Sequence, residues 1–141
     1  MWYARGNDIW LADCDLAATI VTLGSSRVIV AGAAHVVPAG PLPAIVASGG
    51  VRFCSDLPAN ALAVDGLLFC GGNIDTTSDA VAYNCTINIR GALMMAATNG
   101  AISDQYHGTI DIAYDAAHLS LPDLTPVDQT PTRVKVLRWG M

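Results

Sequence analysis

A chain of 141 residues that is 52% hydrophobic and only 13% charged is a single globular domain rather than a disordered segment. Its net charge of −5, with seven Lys and Arg scattered between Arg5 and Arg138, excludes a protein that grips nucleic acid or an anionic membrane through a basic patch. Thirteen Gly and seven Pro, with no long run rich in Glu, Lys, Leu and Ala, argue against a helical bundle.

Residues 1–16 open the chain with Trp2, Tyr3 and Trp10 and are expected to cap the fold. Met1 to Arg5 leads into Asn7 and Asp8 rather than into an apolar stretch, so no signal peptide is expected. The run Arg27 to Gly32 alternates about Val28 and Val30, which are expected to face inward as a half-copy of a strand repeated later. Val28 to Val51 is uncharged, but Pro38, Pro41 and Pro43 break it, and no membrane span is expected there.

Three similar segments follow: Pro43 to Asp65, Gly66 to Arg90 and Gly91 to Asp115. Each has a short apolar run, a small Gly-containing stretch, a polar loop and a closing alternating strand. In the opening runs Ile45, Leu68 and Leu93 share a column, and Val46, Phe69 and Met94 share the next. In the closing strands Leu62, Ile87 and Ile110 align, then Val64, Ile89 and Ile112, with Ala63, Asn88 and Asp111 between them. Alternation with a period of two puts one face in and one face out. A repeat of this length, built of strands and turns, matches one coil of a β-helix, in which like residues stack about 4.8 Å apart.

The expected fold is therefore all-β: a short parallel β-helix, or β-solenoid, of about three to four coils. It comprises a cap over 1–16, repeats over 17–115, and a C-terminal loop with a terminal strand over 116–141. The loop contains Pro122, Pro126 and Pro131, and the strand is expected from Arg133 to Trp139. A β-sandwich or barrel with regularly spaced hairpins is the alternative.

The elements Pro43-Ala44-Ile45-Val46, Gly66-Leu67-Leu68, Gly91-Ala92-Leu93 and Tyr114-Asp115, in that order before a Pro-containing tail, carry a resemblance. Over residues 17–125 the chain resembles the repeat-containing C-terminal domains of pilin-like (PilX-like) proteins of type IV pilus and general-secretion systems. The resemblance implies a surface-exposed, non-catalytic structural or adhesive module, at the cell envelope or outside it. Unlike those proteins, this chain does not open with an apolar pilin helix.

Few residues invite chemistry. Cys14, Cys54, Cys70 and Cys85 are even in number but form no Cys-x-x-Cys pair, so a structural zinc is not expected. The repeat puts Cys70 with Ala47 and Met95, Cys85 with Asn60 and Gly108, and Cys54 with Thr77. No two cysteines share a column. Buried free thiols are the favoured reading, and pairing within a coil or to Cys14 is the alternative. Among His35, His107 and His118, only His107 has a local cluster, with Ser103 and Asp104, and no Gly-x-Ser-x-Gly turn marks a nucleophile.

Asp75, Asp79, Asp104, Asp111 and Asp115 would approach one another across stacked coils, as the carboxylates of a glycan-cleaving site must. A few coils offer only about 15–20 Å of wall for a sugar chain, so no catalytic residue, metal ligand or cofactor is assigned. Gly71 to Asp75 is similar to calcium-binding glycine–aspartate repeats but occurs once. Asn84-Cys85-Thr86 is a glycosylation triplet with no secretory context.

Trp2, Trp10 and Trp139 either plug the ends of the apolar stack or form a binding platform. Function is expected to be that of an interaction module with protein partners. The alternatives are a carbohydrate-binding domain and a self-assembling solenoid.

Overall fold

A computed structural model describes residues 1–54, 60–76, 85–96, 102, 106, 108–115 and 133–136. The chain is all-β, with no helix among the described residues, and winds into a parallel β-solenoid of about four turns. The first turn consists of β1 (Trp2–Arg5), β2 (Ile9–Leu11) and β3 (Cys14–Ala17). The second consists of β4 (Ile20–Leu23), β5 (Val28–Val30) and β6 (Ala33–Val37). Next come β7 (Ile45–Ala47), β8 (Val51–Phe53), β9 (Ala61–Cys70), β10 (Ile74–Thr76), β11 (Cys85–Met95) and β12 (Gly108–Ala113). A last strand, β13 (Arg133–Val136), closes the sequence of elements.

The pairings define three faces. On the first, β1, β4, β7 and the second halves of β9 and β11 stack in that order, and the register Trp2, Ile20, Ile45, Leu68, Leu93 runs through them. The second face stacks β2, β5, β8 and β10. On the third, β3, β6, the first halves of β9 and β11, and β12 stack in parallel, and β13 adds antiparallel to β12. Apart from that last pair every ladder among the described residues is parallel, unlike the hairpins of a sandwich.

β9 and β11 each serve two faces without a break. Burial alternates strictly along β9, so both halves send every second side chain inward. The bend falls at Gly66 and, one coil on, at Gly91, which have φ of 133° and 146°. Side chains other than glycine rarely adopt such a conformation, which explains why the segments turn at Asp65-Gly66 and Arg90-Gly91.

The expected aliphatic columns are the core. Ile45, Leu62, Val64, Leu68, Ile87, Ile89 and Ile110 are buried, while Leu93 and Ile112 in the last coil are partly so. Leu62, Ile87 and Ile110 stack, as do Val64, Ile89 and Ile112. Phe53 and Tyr106 fill part of the interior, with ring centroids 5.8 Å apart.

Three expected segments take the following places. Val28 and Val30 point inward and are buried, but they belong to the second face, above Ile9 and Leu11, not to the column of the closing strands. That column continues through Ala34 and Val36 of β6 to Leu62 and Val64. Residues 1–16, expected as a cap, carry β1, β2 and most of β3 and form a coil in register with the next. The terminal strand spans Arg133–Val136, and the residues beyond it lie outside the described ones.

Candidate functional site

Inward residues are consumed by the core, so function has to reside on the outer sides of the faces or at the ends of the stack. On the third face one outward column reads Asp15, His35, Ala63, Asn88, Asp111, and the neighbouring column reads Asp65, Arg90, Ala113. His35 joins three coils: its Nδ1 lies 3.1 Å from Asp15 Oδ1, and its Nε2 lies 3.4 Å from Asp65 Oδ2. Beside it an open trough of about 470 Å³ runs over Ala63, Asn88 and Asp111, walled by Asp65 and Arg90. A second hollow of about 390 Å³, floored by Ala33, Ala61 and Ala63, continues on the other side of His35 toward Asp13 and Asp15.

The other polar side chains mostly lace coil to coil. Asp8 Oδ1 accepts from the Arg27 amide at 2.7 Å, and Asp13 Oδ1 accepts from the Ala33 amide at 3.0 Å. On the second face Arg52 forms a two-pronged pair with Asp75, Nε to Oδ1 at 2.7 Å and Nη2 to Oδ2 at 2.8 Å. This bonding raises the Arg52 pKa above its ordinary value, and burial only partly offsets it. Asp75 is thus held on the second face, away from Asp111 on the third. The carboxylates expected to cluster do not all share one wall.

Gly71 and Gly72, in the stretch similar to calcium-binding glycine–aspartate repeats, sit where the coils pack backbone to backbone. A β-carbon on Gly71 would lie 2.6 Å from the Ser48 carbonyl oxygen, and one on Gly72 would meet the Gly49 carbonyl. Among the described residues no group of three His, Cys, Asp or Glu side chains is placed to hold a metal ion.

The aromatics are dispersed. Trp2 starts the inward column of the first face and is 53% exposed because no coil covers it among the described residues. Trp10 points outward on the second face, in register with Ile29, and is 62% exposed. Tyr3 begins an outward apolar strip on the first face, through Val21, Val46 and Phe69 to Met94.

All four cysteines are free. Cys70 and Cys85 are buried, Cys14 and Cys54 partly so. Cys70 stacks between Ala47 and Met95, and Cys85 pairs with Gly108, as the repeat predicts. Burial pushes the Cys70 thiol up to about 12 and Cys85 up to about 11. Trp139, Thr77, Asp79, Asn84, Ser103, Asp104, His107, His118 and the proline-containing stretch before β13 lie outside the described residues.

His35 with Asp15 and Asp65 was not expected as a cluster. Its one sequence signal is the alternation Ala33-Ala34-His35-Val36-Val37, whose small residues hide a strand. No family model, curated protein or solved structure matches the chain. No helix among the described residues is long and apolar enough to cross a membrane.

Proposed function

We propose that the chain is a non-catalytic structural and adhesive module of a surface assembly, in which copies stack end to end and display their long outer faces. Its resemblance to pilin-like repeat domains points the same way. The observation that carries the reading is the state of the first coil. Trp2, Ile9, Cys14 and Leu16 occupy inward positions yet are exposed or half-buried, whereas their partners one coil on (Ile20, Val28, Ala34 and Val36) are buried. Among the described residues the outer edges of β1, β2 and β3 have no strand beside them, and such edges recruit further strands.

The partner that fits is a second copy. At the opposite end of the third face β13 is the last strand among the described residues, and its register puts Lys135 at the level of Asp111. Lys135 therefore ends the column that Asp15 begins. Adding β13 of one copy to β3 of the next gives an antiparallel pair, and the sequence of β13 is basic (Arg133, Lys135) where β3 carries Asp15. Such head-to-tail contacts do not close on themselves and produce linear stacks.

Sedimentation velocity over a range of concentrations tests this. Linear oligomers that grow with concentration are expected. Asp15→Lys or Lys135→Asp alone should weaken them, and the two together should restore them. A strict monomer, a closed dimer, or a double variant no better than either single one would overturn the proposal.

A further inference from the structure

We propose that the trough on the outer side of the third face is a binding site for a neutral oligosaccharide, laid along the solenoid axis across its last three coils. It deepens the adhesive reading but does not depend on end-to-end stacking. The trough is open along its length, so a small metabolite would leave most of its surface in water, whereas such ligands are ordinarily mostly buried. An apolar ligand would strip water from Asp65 and Arg90 without replacing their hydrogen bonds. A phosphate, sulfate or uronate would gain Arg90 but face Asp65 across the trough, with Asp13 and Asp15 in the adjoining hollow. An extended, uncharged, hydroxyl-rich polymer meets none of these objections.

The trough also supplies what such a polymer needs. Asp65 stands in register with Arg90, and Asn88 with Asp111, so two donor–acceptor steps lie side by side. Carboxylates only accept and guanidinium only donates, while the amide of Asn88 does both. A sugar hydroxyl both donates and accepts, so each step can engage a pair of neighbouring hydroxyls.

Strands on one face repeat at about 4.8 Å, close to the length of one pyranose unit in an extended chain, so successive sugars meet successive coils. Between the polar steps the methyl groups of Ala63 and Ala113 leave room and offer apolar contact to the C–H face of a sugar ring. His35, held between Asp15 and Asp65, fixes the orientation of the Asp65 wall before any ligand arrives.

Binding is tested by calorimetry on the full chain with cellohexaose, xylohexaose, maltohexaose and chitohexaose, and with a hexamer of galacturonate as the acidic counterpart. At least one neutral hexamer should bind, its disaccharide more weakly, and the galacturonate hexamer should not bind. Asn88→Ala and Asp111→Ala should each lower affinity about tenfold, the scale of one good hydrogen bond to a charged or amide group. Ala63→Trp should abolish binding by filling the floor while every polar group remains. Outward positions tolerate such changes, and an unchanged thermal midpoint verifies that each variant is folded. No binding by any neutral hexamer, preference for the acidic one, or binding indifferent to Ala63→Trp would overturn the proposal. A monomeric protein that still binds sugar would sink the stacking reading and leave this one standing.

Discussion

Gly91 lies in register on Gly66, and a β-carbon on Gly91 would collide with the Gly66 carbonyl oxygen and come within 2.9 Å of its α-carbon. The corner between the third and first faces is therefore built from backbone stacked on backbone. Gly91→Ala adds a steric conflict to an unfavourable φ of 146°. It is expected to cost about 3 kcal/mol, strain and clash together. Gly40, which also has positive φ but has nothing within 4 Å of an added β-carbon, should lose less on the same change. Urea unfolding of the two variants measures the difference, and equal losses would mean that φ alone sets the cost.

Thr22 presents the opposite case, a residue the fold would do better without. It occupies an inward column of small residues (Ala4, Thr22, Ala47, Cys70) and is fully buried. Its Oγ1 has no hydrogen-bond partner among the described residues. Thr22→Val keeps the shape and the β-branch and removes the desolvated hydroxyl. A gain of about 1 kcal/mol in unfolding free energy is expected. A loss on the same measurement would show that the hydroxyl is satisfied.

The columns of the solenoid were legible because alternation marks the inward residues and Gly66 and Gly91 mark the same corner in successive coils. Val28-Ile29-Val30 misled because all three residues are buried. The strand that does belong to the closing column, Ala33–Val37, has alanines and a histidine in place of large aliphatics. Tyr106, which stands among polar residues in the sequence, is fully buried and donates to the Thr109 carbonyl at 3.0 Å. The His35 cluster was illegible for a different reason. Asp15, His35 and Asp65 are far apart in sequence, and the coils differ in length, so no fixed spacing announces that they meet.

The buried thiols give the protein an alkaline limit. Burial keeps Cys70 neutral to about 12 and Cys85 to about 11, whereas both ionise near 9.0 once the chain is unfolded. Their folded values are raised, so the stability they confer is complete below pH 9.0 and is lost as pH climbs toward 11 and 12. Urea midpoints should fall across that window, and Cys70→Ala, which copies Ala47 one coil below, should flatten the fall. A thiol reagent at neutral pH should label Cys14 and Cys54 before Cys70 and Cys85, following their exposure. Rapid labelling of Cys70 in the folded protein would contradict its burial.

Arg52 and Asp75 should prove strongly coupled and yet dispensable together. Asp75 is the more deeply buried partner, with side-chain exposure of 11% against 31% for Arg52. Arg52→Leu strands a carboxylate out of water and is expected to cost about 3 kcal/mol. Asp75→Leu leaves a guanidinium that can still reach solvent, so a smaller loss, about 1–2 kcal/mol, is expected. The adjacent outward residue in the column, Ile29, is already buried and apolar. The double variant extends that surface and should lie within about 1 kcal/mol of the wild type. A double-mutant cycle in urea reads the coupling directly. Additive losses would mean that the pair is screened by water and laces nothing, while a double variant that fails to fold would show that the charges are needed to fix the register of β8 on β10.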